Sequence, residues 1–161
     1  MVIVRGTRRL LDRLGGPSAT EDETSTTVLG DWYATLLRRR SPVALFVNEA
    51  TLLPVLIRLA PARTLAQRFR TATAETLAAH GIDPTFIDTE TSRMSPVALA
   101  PTANRSVVGI MNEFTFLADH HGIEDLAELG MVLARTPCSP LYKRHVSPDR
   151  ELHALVDQRT P

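Results

Sequence analysis

The stretch Val43 to Leu59, VALFVNEATLLPVLIRL, constrains what this chain can fold into more than any other. It is the longest apolar region, yet Asn48, Glu49, Pro54 and Arg58 interrupt it, so it falls short of the roughly 20 apolar residues that span a bilayer. It reads instead as two apolar, β-leaning runs joined around Asn48-Glu49-Ala50, a hairpin. Asn-Glu is a poorer tight-turn pair than Asn-Gly, which favours a connection of about three or four residues. Pro54 lacks a ladder donor and therefore belongs on an edge strand or at a bulge. Asn48 and Glu49 read first as turn residues and only then as site residues.

A hairpin is marginal alone and needs further strands and a cover. Val2 to Val4 is a β-branched run leading through Gly6 and Thr7, a predicted N-cap, into a helix carrying Leu10, Leu11 and Leu14. Val97 to Ala100 leads in the same way through Pro101 to Thr102, an echo of Val2 to Thr7 at equal spacing. The matched stretch is short and no solenoid period accompanies it, so coincidence is the preferred account of the echo. Two such units flanking the hairpin predict an α+β fold: a small mixed sheet of about four strands, including a central hairpin, covered by several helices.

Helical spacing accounts for most of the rest. Asn104 to Leu117, NRSVVGIMNEFTFL, places Val107, Ile110, Met111, Phe114 and Leu117 on one face, and His121-Gly122 ends that helix. Pro61 opens an alanine-rich helix stopped by the matching signal His80-Gly81-Ile82, and Asp83-Pro84 starts a shorter one. Leu126, Leu129 and Leu133 mark another helix, and Ser147-Pro148 caps a last one through Leu152, Leu155 and Val156. Leu29, Trp32, Tyr33, Leu36 and Leu37 also recur at threes and fours, which predicts a helix with Trp32 in the core. Its end would carry Arg38-Arg39-Arg40, cations that complement a helix dipole. Pro17 to Thr26 is polar and acidic without periodicity, a solvated loop near 17–26.

The 161 residues are enough for one sizeable core, so a single globular domain over 1–161 is expected. Eighteen cations balance eighteen anions, and no global field draws the chain to nucleic acid or an anionic membrane. Cys138, the only cysteine, rules out an internal disulfide and fits a reducing cytoplasm. The N-terminus lacks the apolar core and cleavage site of a signal peptide, so a cytoplasmic protein with no membrane association is expected.

Familiar chemistry does not assemble. The five histidines form no HExxH or cysteine-histidine set, and Asp119, His120 and His121, although adjacent, diverge around a helix; no metal and no cofactor is expected. His80 and His121 read as cations closing their helices. Cys138, between Pro137 and Ser139, reads as an inert thiol. No GxSxG elbow and no phosphate-cradling glycine loop occurs. What remains is a set of polar residues at element junctions. Thr7, Glu49, Thr102, Asn104, Arg105, Asn112 and Glu113 form the candidate ligand or partner site, with Asp31 and Asn48 at similar junctions. If the echoed units bring Thr7 and Thr102 to adjacent strand ends, Arg105 and Glu49 share a cleft there.

LGDWYATLL from Leu29, FVNEATLLPVLI from Phe46, PTANRSVVGIMNEF from Pro101 and TPCSPLYKRHVSP from Thr136 resemble, in order, blocks of a family of small uncharacterised bacterial proteins. The resemblance spans most of the chain and implies no activity, cofactor or catalytic residue. Apolar helical faces and neutral charge favour a non-catalytic interaction or regulatory module that meets a protein partner or a second copy of itself. The alternative is an enzyme or small-ligand binder using the junction residues. A nucleic-acid role through Arg8, Arg9, Arg13 and Arg38 to Arg40 ranks third, because few aromatics are present to stack bases.

Overall fold

The computed structural model describes residues 1–160. The hairpin is present as β3 (Val43–Asn48) and β4 (Pro54–Arg58), preceded in the chain by β1 (Val2–Gly6) and β2 (Trp32–Leu37) and followed by β5 (Val97–Pro101). They form one open mixed sheet in the order β4-β3-β2-β1-β5. β1 is parallel to β2 and β5, whereas β3 is antiparallel to both β2 and β4. The hairpin therefore occupies one end of the sheet, and Pro54 lies on the edge strand, where its missing N–H leaves no gap in an inner ladder.

Among the described residues, six α-helices cover the sheet: α1 (Arg8–Arg13), α2 (Leu65–Ala79), α3 (Pro84–Ser92), α4 (Arg105–His121), α5 (Leu126–Ala134) and α6 (Pro148–Arg159). Side chains alternate across a strand, so each strand feeds two cores. Val2, Val4, Trp32, Ala34 and Phe46 pack with Phe69 and Leu77 of α2, Ile87 of α3 and Leu152 of α6. Tyr33, Leu37, Leu45 and Val47 pack on the opposite face with Ile110, Met111 and Phe114 of α4 and Leu129 and Leu133 of α5. Each such side chain contributes about 1.5–3 kcal/mol on full burial. The helix ends follow local chemistry: Asp83 and Asn104 accept from the amides of Thr85 and Ser106, and Gly122 ends α4 with φ +63°.

The structure corrects the helix expected at Leu29 to Leu37. Trp32–Leu37 is a strand, bringing the sheet to five, and lies centrally between β1 and β3 with helices over both faces. A strand buried on both sides loses its in-out alternation and becomes a continuous apolar run, which periodicity cannot tell from a buried helix. Trp32 is nevertheless core, fully buried and edge-to-face with Phe69 at 5.3 Å. Arg38 to Arg40 thus end no helix of their own. Arg39 instead donates to the carbonyls of Ala118 and Ile123 at 3.1 and 3.3 Å, capping the C-terminal end of α4. Thr7 holds the N-cap position of α1, but its hydroxyl makes no capping bond and pairs with that of Thr35 at 3.4 Å.

Candidate functional site

β1 and β5 pair in register from Val2 with Val97 to Gly6 with Pro101, so the two copies of the echo lie side by side. Thr7 and Thr102 consequently follow adjacent strand ends. Between β5 and α4, Asn104 donates its backbone N–H to the Tyr33 hydroxyl at 2.8 Å and its side-chain amide to Glu49 at 3.4 Å. The same side chain caps α4 through its Oδ1. Glu49 reaches this junction because the antiparallel register sets Asn48 opposite Trp32, and its N–H then donates to the Asp31 carbonyl at 3.0 Å.

Asn48 builds the connection that presents Glu49. Fully buried, it donates from Nδ2 to the carbonyls of Leu29 and Asp31 and accepts at Oδ1 from Ala50 N–H, Thr51 N–H and the Thr51 hydroxyl. This compact wrap leaves the buried Leu52 at φ +62°, an uncommon conformation for a non-glycine residue. The connection is structural on every polar atom that Asn48 offers.

Along with Tyr33, both Arg5 and Ser25 join the junction from outside the set expected from sequence. Arg5, in β1, pairs through Nε with Asp31 at 3.1 Å and donates to the Pro101 carbonyl at 3.3 Å. Ser25 donates to Asp31 at 2.6 Å while accepting from the Ile3 amide, which ties the 17–26 loop to the sheet. Ser18 and Ala19 extend that tie by donating their amides to the Leu99 carbonyl on the outer edge of β5. Arg5 was legible as the one charge within an otherwise apolar strand; Ser25 and Tyr33 carry no signal that separates them from ordinary loop and core residues.

The other expected residues are placed apart. Arg105 begins α4 and is exposed; Asn112 and Glu113 lie about two turns further along it, near 1.5 Å of rise per residue, and are also exposed. The charge of Glu113 acts on Cys138 instead: burial and then this carboxylate push the thiol up to about 12. Among the described residues, no group of three or more histidine, cysteine, aspartate or glutamate side chains is placed to hold a metal ion. No described helix is long and apolar enough to cross a membrane.

Among the described residues, two concavities of note lie elsewhere. The larger, about 880 Å³, runs along β4 between α2 and α5, walled by Leu56, Ile57, Ala72 and Met131 and rimmed by Arg68 and Glu128. The smaller, about 270 Å³, lies on the α2 face of the sheet beside α1.

A family described as a domain of unknown function, DUF6933, matches residues 3–151. The chain belongs to the DUF6933 family. The match takes in all five strands of this DUF6933 domain except Val2, the first residue of β1, together with the Glu49–Asn104 junction and the floor of both concavities. No curated protein and no solved structure matches the chain.

Proposed function

We propose that this domain is a non-catalytic binding module that takes an extended segment of a partner protein along the outer edge of β4. The observation that carries the reading is the 880 Å³ groove over that edge. Asn48 N–H donates to the Leu53 carbonyl and Leu59 N–H to the Pro42 carbonyl, so Leu53 and Leu59 face β3. By strand alternation Val55 and Ile57 do too, and Leu56 turns its N–H and C=O outward into the groove. An added strand would gain main-chain hydrogen bonds there and seat alternate apolar side chains between α2 and α5. Pro54 blunts one end of the edge, and Arg68 occupies the other by donating to the carbonyls of Arg58, Leu59 and Pro61. Such blunting favours one register over indiscriminate sheet pairing.

The test is selection from a phage-displayed library of random peptides, followed by amide shift mapping. Support would be selected peptides of alternating apolar pattern that shift Leu56 and lose binding in Thr71→Arg, an exposed groove position. Selected peptides whose shifts map away from β4, or binding indifferent to Thr71→Arg, would overturn it.

The contact between Glu49 and Asn104, with Thr7 and Thr102 at adjacent strand ends, favours a second reading in which Thr7, Glu49, Thr102 and Asn104 serve a small polar ligand or a reaction. Its test is a thermal-shift screen of small polar molecules, in which a stabilising hit must be lost in Glu49→Ala. The likeness of the sequence blocks to small bacterial proteins and the single thiol support a bacterial cytoplasmic setting.

A further inference from the structure

We infer that the smaller cavity is a binding site for a compact amphipathic monocarboxylate. It lies on the sheet between α1 and the entry to α2, and its walls include Val4, Leu10, Leu14, Phe46 and Phe69. Four of these, Val4, Leu10, Phe46 and Phe69, are fully or almost fully buried, and Phe46 stacks on Phe69 with ring centroids 4.0 Å apart. The wall is therefore part of the packed core and is pre-formed.

Arg63, exposed to solvent at the rim, is the single charged residue in a lining that is otherwise wholly apolar. Its guanidinium makes no hydrogen bond or ion pair with any described residue, and no carboxylate lines the cavity. An apolar volume with one unpaired cation at its mouth selects a ligand of matching polarity: a hydrocarbon body held inside and one anionic group at the opening. A carboxylate suits the planar fork of arginine, which binds it through two parallel hydrogen bonds. The volume of about 270 Å³ lies just under the range of drug-sized pockets and limits the body to a short hydrocarbon chain. Filling it restores the dispersion contacts that the wall atoms lack on their open side.

The site is independent of the β4 groove, and its occupant can be followed without knowing the natural ligand. Trp32 is the only tryptophan and meets Phe69 of the cavity wall at 5.3 Å, so its emission reports on filling. The probes are sodium octanoate and the neutral octanol of equal chain length, titrated into the full chain while amide shifts are mapped. Octanoate is expected to bind with shifts confined to the cavity wall and to bind at least about tenfold tighter than octanol. Arg63→Ala should remove that preference while leaving octanol affinity within about twofold, and Arg63→Lys should restore part of it. Ala66→Trp, which fills the cavity from an exposed helix position, should abolish both, with an unchanged circular dichroism spectrum showing that the fold is kept. Equal affinity for octanoate and octanol, no binding of octanoate at roughly 10 mM, or shifts mapping elsewhere would each overturn the assignment.

Discussion

The carboxylate of Glu90, fully buried in α3, accepts a hydrogen bond of 3.0 Å from the amide of Leu29, sixty-one positions earlier in the chain. The neighbouring Val28 amide donates to the same carboxylate at 2.7 Å. These bonds fasten the segment entering β2 to the helical layer, at the point where the chain must leave its loop and become the central strand.

Replacing Glu90 by alanine strips both amides of their acceptor, each at about 1–3 kcal/mol, so a loss of roughly 2–6 kcal/mol is expected in urea unfolding. Burial, the largest influence, raises the Glu90 pKa above 4.5, and the two amides only partly oppose it. A carboxyl raised on folding contributes fully below its unfolded pKa, and that contribution is lost as pH rises through the folded value. Glu90→Gln cannot ionise, so its deficit relative to the parent should be smaller near pH 7 than near pH 4. A deficit that grows with pH would contradict the assigned burial.

His80 follows α2 as its C-cap, and burial lowers its pKa below 6.5 despite the opposing charge of Asp149. Desolvation thus overrides the helix-end preference for a cation that the sequence suggests. Its neutral form is the one the fold accepts, so stability is present above 6.5 and declines as pH falls through the folded pKa. His80→Asn, a residue suited to helix ends, should flatten that part of the Tm-against-pH curve. An unchanged acid limb would show that His80 does not set it.

Arg39 and its neighbours separate two meanings of one basic run. Arg39→Ala removes two hydrogen bonds to carbonyls at the end of α4 and should cost about 1–2 kcal/mol, whereas Arg38→Ala and Arg40→Ala, at exposed positions, should stay within about 0.5 kcal/mol. Chemical denaturation of the three variants decides it, and equal losses would refute the cap.

Cys138 is fully buried, and its pKa of about 12 leaves almost no thiolate at neutral pH. The native protein should be silent toward a thiol reagent, reacting only as fast as it opens, and mild denaturant should release stoichiometric modification. Rapid labelling in buffer would place the thiol outside the core.

Local chemistry was legible at many element ends, although Thr7 and Ser147 make no capping bond with their side chains. The glycine stops at Gly81 and Gly122, with φ +74° and +63°, the Asp83 and Asn104 caps, and the edge position of Pro54 all follow from residues within a few positions. The amphipathic stripe of α4 follows from the same periodicity, because a helix with one buried face writes that face into its sequence. What the sequence by itself determined is therefore the class of the fold, its hairpin, its helices and most of its boundaries. The tertiary structure alone decided that Trp32–Leu37 is a strand, since burial on both faces erases the pattern that would mark it. It alone set β1 beside β5, brought Glu49 within 3.4 Å of Asn104 and set Arg63 at the rim of an apolar cavity. These contacts join residues far apart in the chain, and their geometry depends on strand order, which no local propensity encodes.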